Sequence, residues 1–276
     1  MRCPQSWLLL FAIALAAGCA TTRTTAPGVV GVNREQTMLV SSGEVDRSAA
    51  KAYQETLRDA KGSNLLNRDP REVERVRRIA ARLIPATAAF RSDAPGWNWE
   101  VNVVTSRELN AWCMPGGKIA VYSGLIEQLQ LTDDELAAVM AHEIAHALRE
   151  HGREKAGQAA GVNAAAAIGG ALLGAYFGID SGIGRSVLGG VGELAFMRPN
   201  SREMEQEADR VGVELAARAA YDPQAAITLW EKMERAGGAQ APQWLSTHPS
   251  HASRLADLRV YAARVEPLYA AARKSR

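Results

Sequence analysis

The chain has little cysteine, little aromatic content and almost no net charge. Three cysteines occur in 276 residues, aromatic residues make up 6% of the chain, and the formal charge is +2 at pH 7. So few cysteines exclude a disulfide-stapled scaffold, and so small a charge implies no nucleic-acid partner. With 47% hydrophobic residues, the chain is long enough for one large domain or two small ones.

The first residues predict a targeting signal. An apolar run over residues 7–17 ends in small residues directly before Cys19, a pattern typical of a secretory signal peptide at 1–18. The cysteine at this place resembles that of a bacterial lipobox, so we expect Cys19 to be acylated and to hold the protein on a membrane; ordinary cleavage and an uncleaved anchor are the alternatives. Ala20 follows where an acidic residue would resemble an inner-membrane retention signal. The expected location is therefore the periplasmic face of the outer membrane.

The rest of the chain predicts a tether and one domain. Residues 19–43 are rich in Thr, Ser, Gly and Val and are predicted to be the lipidated N-terminus and tether. Residues 44–276 are predicted to form a mostly helical α+β domain. Its first helices are expected at about 44–61 and 70–84, the second ended by Pro85.

Two strands are predicted ahead of the main helix. Trp97–Val104 alternates with a period of two, and Lys118–Tyr122 is a second short apolar run. Pro115-Gly116-Gly117 supplies a turn. We expect a small antiparallel sheet with Lys118–Tyr122 as its edge strand.

Residues 157–192 are rich in glycine and alanine. A membrane span is not predicted here, because Gly and Ala contribute little transfer energy and Asp180 and Arg185 interrupt the apolar run. A closely packed helical hairpin, or a mobile flap near the functional site, fits the composition better.

The five histidines fall in two short segments, and the first reads His142-Glu143-Ile144-Ala145-His146. Thr132 and Glu135 form a capping box that predicts a helix from about residue 133. Side chains four apart on a helix have Cβ atoms about 5–6 Å apart, so His142 and His146 can share one zinc ion, with Glu143 beside them as general base. The alternative, a buried helix with two satisfied histidines, is disfavoured because a buried Glu needs a partner.

A third ligand is needed, since catalytic zinc usually has three protein ligands and a water. Glu205 and Asp209, four apart on another predicted helix, share one face. One carboxylate can bind the metal while the other hydrogen-bonds a ligating imidazole. The alternative is an acidic helix N-terminus favoured by the dipole. His151 lies about 140° further round the helix than His146 and is predicted to point away from the metal, in a helix-terminus or surface role.

The order of these motifs resembles that of the HtpX-, BepA- and LoiP-like zinc metallopeptidases, relatives of the type I CAAX prenyl proteases and of the Oma peptidases. Asn110-Ala111 followed by Pro115-Gly116-Gly117 looks like the family's edge-strand motif, and Thr247-His248-Pro249 with Arg254 resembles its C-terminal motif. The membrane spans of HtpX and the helical-repeat extension of BepA are absent. The chain is most similar to the short periplasmic lipoprotein type.

The resemblance implies a zincin-like (gluzincin) fold with one zinc ion on His142, His146 and Glu205. It also implies that Glu143 is the base and that Asp209 supports a ligand. Arg254 is expected to bind a carboxylate of the enzyme or of the substrate. His248 is expected either to donate to the tetrahedral oxyanion or to bind zinc as a fourth ligand that keeps the enzyme latent, with a helix-cap or turn role as the alternative.

We therefore predict a zinc-dependent endopeptidase that hydrolyses unfolded or misassembled envelope proteins, with the outer-membrane assembly machinery as a candidate partner. The substrate strand is expected to pair with the edge strand; its predicted contacts are Asn110, Ala111, Gly117, Ile119 and Val121. His251 is expected at the surface, and Cys113 in packing. The rival hypotheses are a catalytically weak scaffold or chaperone for outer-membrane proteins, and a structural zinc site.

Overall fold

The computed structural model describes residues 21–161, 199–236, 243–249 and 252–275. The predicted signal peptide with Cys19, His251 and most of the Gly/Ala-rich segment lie outside the described residues. Within the described ranges, no helix is long and apolar enough to cross a membrane.

The fold is mostly helical with two small sheets, which confirms the predicted α+β class. The helices, in chain order, are α1 (Ser42–Gly62), α2 (Pro70–Ala86), α3 (Ser123–Gln128), α4 (Asp133–Leu148), α5 (151–161 as far as described), α6 (Arg202–Arg218), α7 (Ala225–Ala236), α8 (Gln243–Thr247) and α9 (Ala252–Lys274). The strands are β1 (Thr21–Thr22), β2 (Gln36–Thr37), β3 (Glu100–Val104), β4 (Ala111–Met114) and β5 (Lys118–Tyr122).

Local capping accounts for where the main helix begins. Thr132 accepts from the backbone N–H of Glu135 at 3.2 Å, and the Glu135 carboxylate accepts from the N–H of Thr132 at 2.8 Å. This is the predicted capping box, and α4 starts at Asp133. Pro85 lies inside the last turn of α2, which ends one residue later at Ala86, so the predicted end at residue 84 is two residues early.

The sheet beside α4 differs from the predicted antiparallel pair. Its strand order is β3-β5-β4, with β3 parallel and β4 antiparallel to β5. Lys118–Tyr122 is therefore the central strand, and the prediction that it forms the edge is wrong. The Pro-Gly-Gly turn joins β5 to β4 instead, a strand of four residues too short for a periodic pattern to reveal. Gly117 adopts a φ of +80°, and a Cβ there would lie 2.6 Å from the Trp99 ring.

The N-terminal segment, residues 24–40, is part of the folded domain. Val30 and Val32 belong to the main hydrophobic core and Gln36 is fully buried. The prediction of a free tether over 19–43 is therefore wrong for these residues. Its few apolar side chains occur without a period, so composition alone concealed that they pack.

Helix α4 is the centre of the domain. Every residue from Glu135 to Leu148 is buried, and α6 packs along it. Gly212 of α6 permits this approach, because a Cβ at that position would lie 3.0 Å from the backbone Cα and N of His142. The packing brings the acidic face of α6 against the histidines of α4.

Candidate metal centre

Four donor groups meet beside the middle of α4. Nε2 of His142 lies 3.1 Å from Nε2 of His146 and 3.2 Å from Nδ1 of His248. Oε1 of Glu205 lies 3.4 Å from Nε2 of His146 and 3.0 Å from Nδ1 of His248. Within the part of the chain that the structure describes, these four residues form a cluster that could hold a metal ion, with donor atoms all within 4.8 Å of one another.

The donor set fits zinc. Imidazole nitrogen and carboxylate oxygen are both zinc ligands, and tetrahedral coordination with bonds of about 2.0–2.1 Å places neighbouring donors about 3.3–3.4 Å apart. The four distances given above span 3.0 to 3.4 Å, and all donor pairs lie within 4.8 Å. All four side chains are buried, so their lone pairs face one another where solvent does not separate them.

A carboxylate orients His142 from behind. Its Nδ1 lies 3.0 Å from Oδ1 of Asp209, which places Asp209 where a residue supporting a ligand was predicted. Arg254, 1% exposed, donates to both Asp209 oxygens at 2.6 and 2.7 Å, and its Nη1 lies 2.7 Å from Oε2 of Glu205. Arg254 thus faces two carboxylates of the protein itself, the first of its two predicted partners.

His151 is not at the surface. It is 1% exposed, and its Nδ1 lies 2.8 Å from Nδ1 of His146. Its side chain does stay outside the donor cluster, but the expected surface or helix-terminus role is wrong. The wheel count assumed one continuous helix, whereas α4 ends at Leu148 and Glu150 adopts a φ of +50°, so α5 starts in a new direction.

Glu143 faces the cluster from α4. Its Oε1 accepts the indole N–H of Trp244 at 2.8 Å and lies 3.6 Å from Nε2 of His248. The Trp244 ring stacks on His248 with centroids 4.6 Å apart. Helix α8 thus brings both His248 and a hydrogen-bond donor onto the site.

Burial and neighbouring charges set the protonation of the cluster. Burial raises the pKa of Glu205, but His248 and His142 outweigh it and hold that pKa well below its ordinary range. Burial lowers the pKa of His146 well below its ordinary value. Burial also lowers the pKa of His142, but Asp209 and Glu205 outweigh it and raise that pKa to about 9. Glu205 is therefore ionised and His146 neutral, as ligands must be, while a metal at His142 must displace a proton.

A cleft runs past the cluster along β4. Residues 110–115 form one side of it, and Glu143, His146, Asn200 and His248 line the other. The backbone carbonyls of Asn110 and Met114 accept hydrogen bonds from the N–H groups of Tyr122 and Gly117. In an antiparallel pair, successive residues face the partner strand and the outside in turn. The N–H and C=O groups of Ala111 and Cys113 therefore lie on the outer edge of the sheet.

Some of the predicted substrate contacts line the cleft and others do not. Asn110 and Ala111 line the cleft. Ile119 and Val121 are wrong as contacts, because they are buried on β5, whose two sides already pair with β3 and β4. Gly117 lies in the turn against Trp99 and is also wrong. Cys113, a half-buried residue of β4, lines the cleft but is not one of the four clustered donors.

Sequence reasoning missed several residues that support the site. Asn200 donates to Oε1 of Glu205 at 2.7 Å, and Glu207 lies 3.0 Å from Nε2 of His151. Trp244 could have been found, since it precedes His248 by four residues and its backbone carbonyl accepts the His248 N–H. Asn200 and Glu207 belong to no local pattern that marks a metal site.

The fold and the cluster together define a zincin-type metal-dependent peptidase: two histidines of one buried helix, a glutamate of a second helix, and a glutamate beside an open cleft. The sequence profile of Peptidase family M48 matches residues 70–262, and the chain belongs to this family. The predicted zinc cofactor and the predicted class, a metallopeptidase, are confirmed.

Named relatives agree with the family. Metalloendopeptidase OMA1, mitochondrial, of Bos taurus is 36% identical over 212 residues, which are 73% of this chain and 39% of the relative. The Homo sapiens protein of that name is 32% identical over 232 residues, 80% of this chain and 43% of the relative. Beta-barrel assembly-enhancing protease of Escherichia coli (strain K12) is 30% identical over 220 residues, which are 77% of this chain and 43% of the relative. The chain thus spans about two fifths of the length of these relatives.

These names contradict the predicted location. The relatives with the higher identities are mitochondrial by name, so the prediction of a lipid-anchored protein on the periplasmic face of the outer membrane is corrected. That prediction depended on a short apolar run, small residues and one cysteine. Such a pattern involves few positions and depends only on residue type, so unrelated N-termini share it. Cys19 itself lies outside the described residues.

Proposed function

We propose that the chain is a zinc endopeptidase that hydrolyses peptide bonds of unfolded or misassembled polypeptides. The observation that carries this proposal is the buried cluster of His142, His146 and Glu205, with Glu143 beside it and an open cleft alongside. Zinc held there supplies Lewis acidity that lowers the pKa of water to about 7. Family membership supports the peptide bond as the bond that is broken.

Glu143 is proposed as the base. It takes a proton from the attacking water as the water oxygen bonds to the peptide carbonyl carbon, and it delivers that proton to the amine as the C–N bond breaks. Its Oε1 is close enough to the cluster to do so, 3.6 Å from Nε2 of His248. Arg254 and Asp209 are proposed to hold His142 in the orientation that the metal needs.

The outer edge of β4 is proposed to hold the substrate. An extended polypeptide that pairs with the backbone of Ala111 and Cys113 would lie along the cleft, past Glu143. Because main-chain groups make these contacts, sequence preference should be weak and the substrate must be locally unfolded. The name of the Escherichia coli relative, which refers to β-barrel assembly, supports β-barrel proteins that have not yet assembled as one class of substrate.

His248 is proposed to be a fourth ligand that closes the site, not an oxyanion donor. Its Nδ1 belongs to the donor cluster, 3.2 Å from Nε2 of His142. With four protein ligands the position for water is filled. The enzyme would then be latent until the segment that carries Trp244 and His248 moves away.

Digestion of unfolded casein tests these roles. Glu143→Gln should retain one zinc per chain and lose at least 100-fold in kcat/KM, since it removes the proton acceptor, while Glu203→Gln, an exposed change on α6, should behave as wild type. Undiminished proteolysis by Glu143→Gln would contradict the base assignment. Casein that wild type and His248→Ala bind but do not cleave would instead favour the scaffold hypothesis.

The same assay separates the two roles of His248. His248→Ala should raise the rate if the imidazole closes the site, because it frees a coordination position. A fall in kcat with unchanged zinc content would instead support the oxyanion role.

A further inference from the structure

A second buried network meets the donor cluster behind His146. Behind His146 lies His151, whose Nδ1 is 2.8 Å from Nδ1 of His146, and behind His151 lies Glu207, whose Oε2 is 3.0 Å from Nε2 of His151. His151 is 1% exposed and Glu207 6%. Neither side chain contributes an atom to the donor cluster.

A single proton arrangement serves all of these contacts when Nε2 of His146 is a metal donor. That nitrogen must then be unprotonated, so neutral His146 carries its proton on Nδ1 and donates it to Nδ1 of His151. His151 accepts there, carries its own proton on Nε2, and donates it to Glu207. The chain of hydrogen bonds thus ends on an ionised carboxylate, and both imidazoles stay neutral.

Glu207 is itself held in place by two arginines. Arg149, which is fully buried, donates to its Oε2 from Nε at 3.1 Å and from Nη2 at 3.0 Å. Arg34, in the N-terminal segment, donates from Nε at 2.7 Å and from Nη2 at 3.1 Å, and it also binds Glu154 of α5. The carboxylate at the end of the chain therefore has little freedom to turn.

We propose that His151 is a positioning residue of the metal centre, which passes the fixed orientation of Glu207 on to His146. Asp209 does the same directly for His142, so each of the two ligating imidazoles of α4 has its own carboxylate. Through Arg34, residues of the N-terminal segment become part of the support of the metal site. The inference depends on the proposed zinc site and extends it to residues that contribute no atom to the donor cluster.

The test measures zinc affinity, by competition with a chelator, and the visible spectrum of the Co²⁺-substituted protein. His151→Phe keeps a ring of similar size but removes both nitrogens, and it should weaken zinc binding about 10–100-fold. His151→Gln, which has both an acceptor and a donor, should recover most of the loss. Glu207→Gln, which removes the terminal charge, should weaken zinc binding by about tenfold.

Glu214→Gln is the matched control. Glu214 lies on the same helix as Glu207, is fully buried, and also holds the N-terminal segment, because its Oε2 accepts from the backbone N–H of Val30 at 3.0 Å. It does not connect to His146. Zinc affinity and the Co²⁺ spectrum of Glu214→Gln should match those of wild type, while its thermal stability falls.

The outcomes are distinguishable. Equal losses of zinc affinity in Glu207→Gln and Glu214→Gln would overturn the proposal, since loosening of the N-terminal segment would then explain both. Wild-type affinity in folded Glu207→Gln and His151→Gln, together with an unchanged His151→Phe, would overturn it as well. If His151→Phe does not fold, the Glu207 and Glu214 pair decides. A wild-type protein that binds no zinc would refute the proposed function instead.

Discussion

Tyr53 shows how one buried side chain responds to pH. It is fully buried, its hydroxyl donates to the carbonyl of Ile119 at 3.2 Å, and it accepts from Nδ2 of Asn102 at 2.8 Å. Burial raises its pKa from 10.0 to about 12. The folded state therefore holds the phenolic proton more tightly than the unfolded chain does. The stability this contributes is fully present below pH 10 and is lost as the pH rises toward 12.

The measurement is urea unfolding at pH 9 and at pH 11.5. Wild type should lose about 2 kcal/mol more than Tyr53→Phe between the two values, because a shift of one pKa unit is about 1.4 kcal/mol. Other groups that titrate in this range affect both proteins equally. Parallel profiles for the two proteins would contradict the assignment of the effect to Tyr53.

Single residues of the site were predictable where the chemistry is local. The structure brings together the spaced histidines of α4 and the Glu205 and Asp209 pair as the helical period requires. The prediction for His151 was wrong because of a single residue. Glu150 has a positive φ and separates α4 from α5, whereas the prediction assumed one continuous helix. The role of Glu207 depends on a contact between α5 and α6, its hydrogen bond with His151, and the sequence does not predict that contact.

The approach of α6 to α4 depends on Gly212. Replacing it with Ala places a Cβ 3.0 Å from the backbone of His142, so that α6 and α4 must separate slightly, and such overpacking costs about 1–3 kcal/mol. The better helix propensity of Ala returns about 1 kcal/mol. We expect Gly212→Ala to lower the free energy of unfolding and to weaken zinc binding, since Glu205 shifts with α6.

Gly62→Ala is the control for this prediction. Gly62 is the last residue of α1, and a Cβ there meets nothing within 4 Å. Urea unfolding and chelator competition, applied to both variants, should show a change in zinc affinity for Gly212→Ala alone. A Gly212→Ala protein at least as stable as wild type would show that the two helices have room to separate.

Helices and strands were predictable to different degrees. The helices carry caps and an apolar period in their own sequence, so the start of α4 and the extent of α1 agree with expectation. The strand segments β3 and β5 were also recognisable. The order of the strands was not predictable. Strand β4 lies between β3 and β5 in the sequence, but in the sheet β5 lies between β3 and β4. Neither this order nor the parallel pairing of β3 with β5 leaves a signal within either strand.

At the scale of the whole molecule, the metal should act as a cross-link. The four donors come from α4, α6 and the end of α8, so only the folded chain presents them together. Zinc should therefore stabilise the folded state by RT ln(1 + [Zn]/Kd), which is about 4 kcal/mol at 1,000 times Kd and raises Tm by about 10 °C.

Calorimetry with zinc and with a chelator measures the effect. The Tm of wild type should fall on chelation, and Glu205→Gln, which replaces an anionic ligand by a neutral one, should show a much smaller difference. If metal analysis shows that zinc has been removed but Tm is unchanged, the site does not link the three elements and the proposed coordination is wrong.

The sequence by itself determined what depends on neighbours along the chain: the capped, periodic helix that pairs His142 with His146, the base between them, the acidic pair on a second helix, and hence a zinc metallopeptidase. Tertiary structure alone decided which strand is the edge, that residues 24–40 pack as core, and that His151 and Glu207 stand behind a ligand. The physical reason is range. Caps and helical periods are properties of contiguous residues, whereas strand order and buried hydrogen-bond networks arise between segments whose separation in sequence carries no trace of their contact.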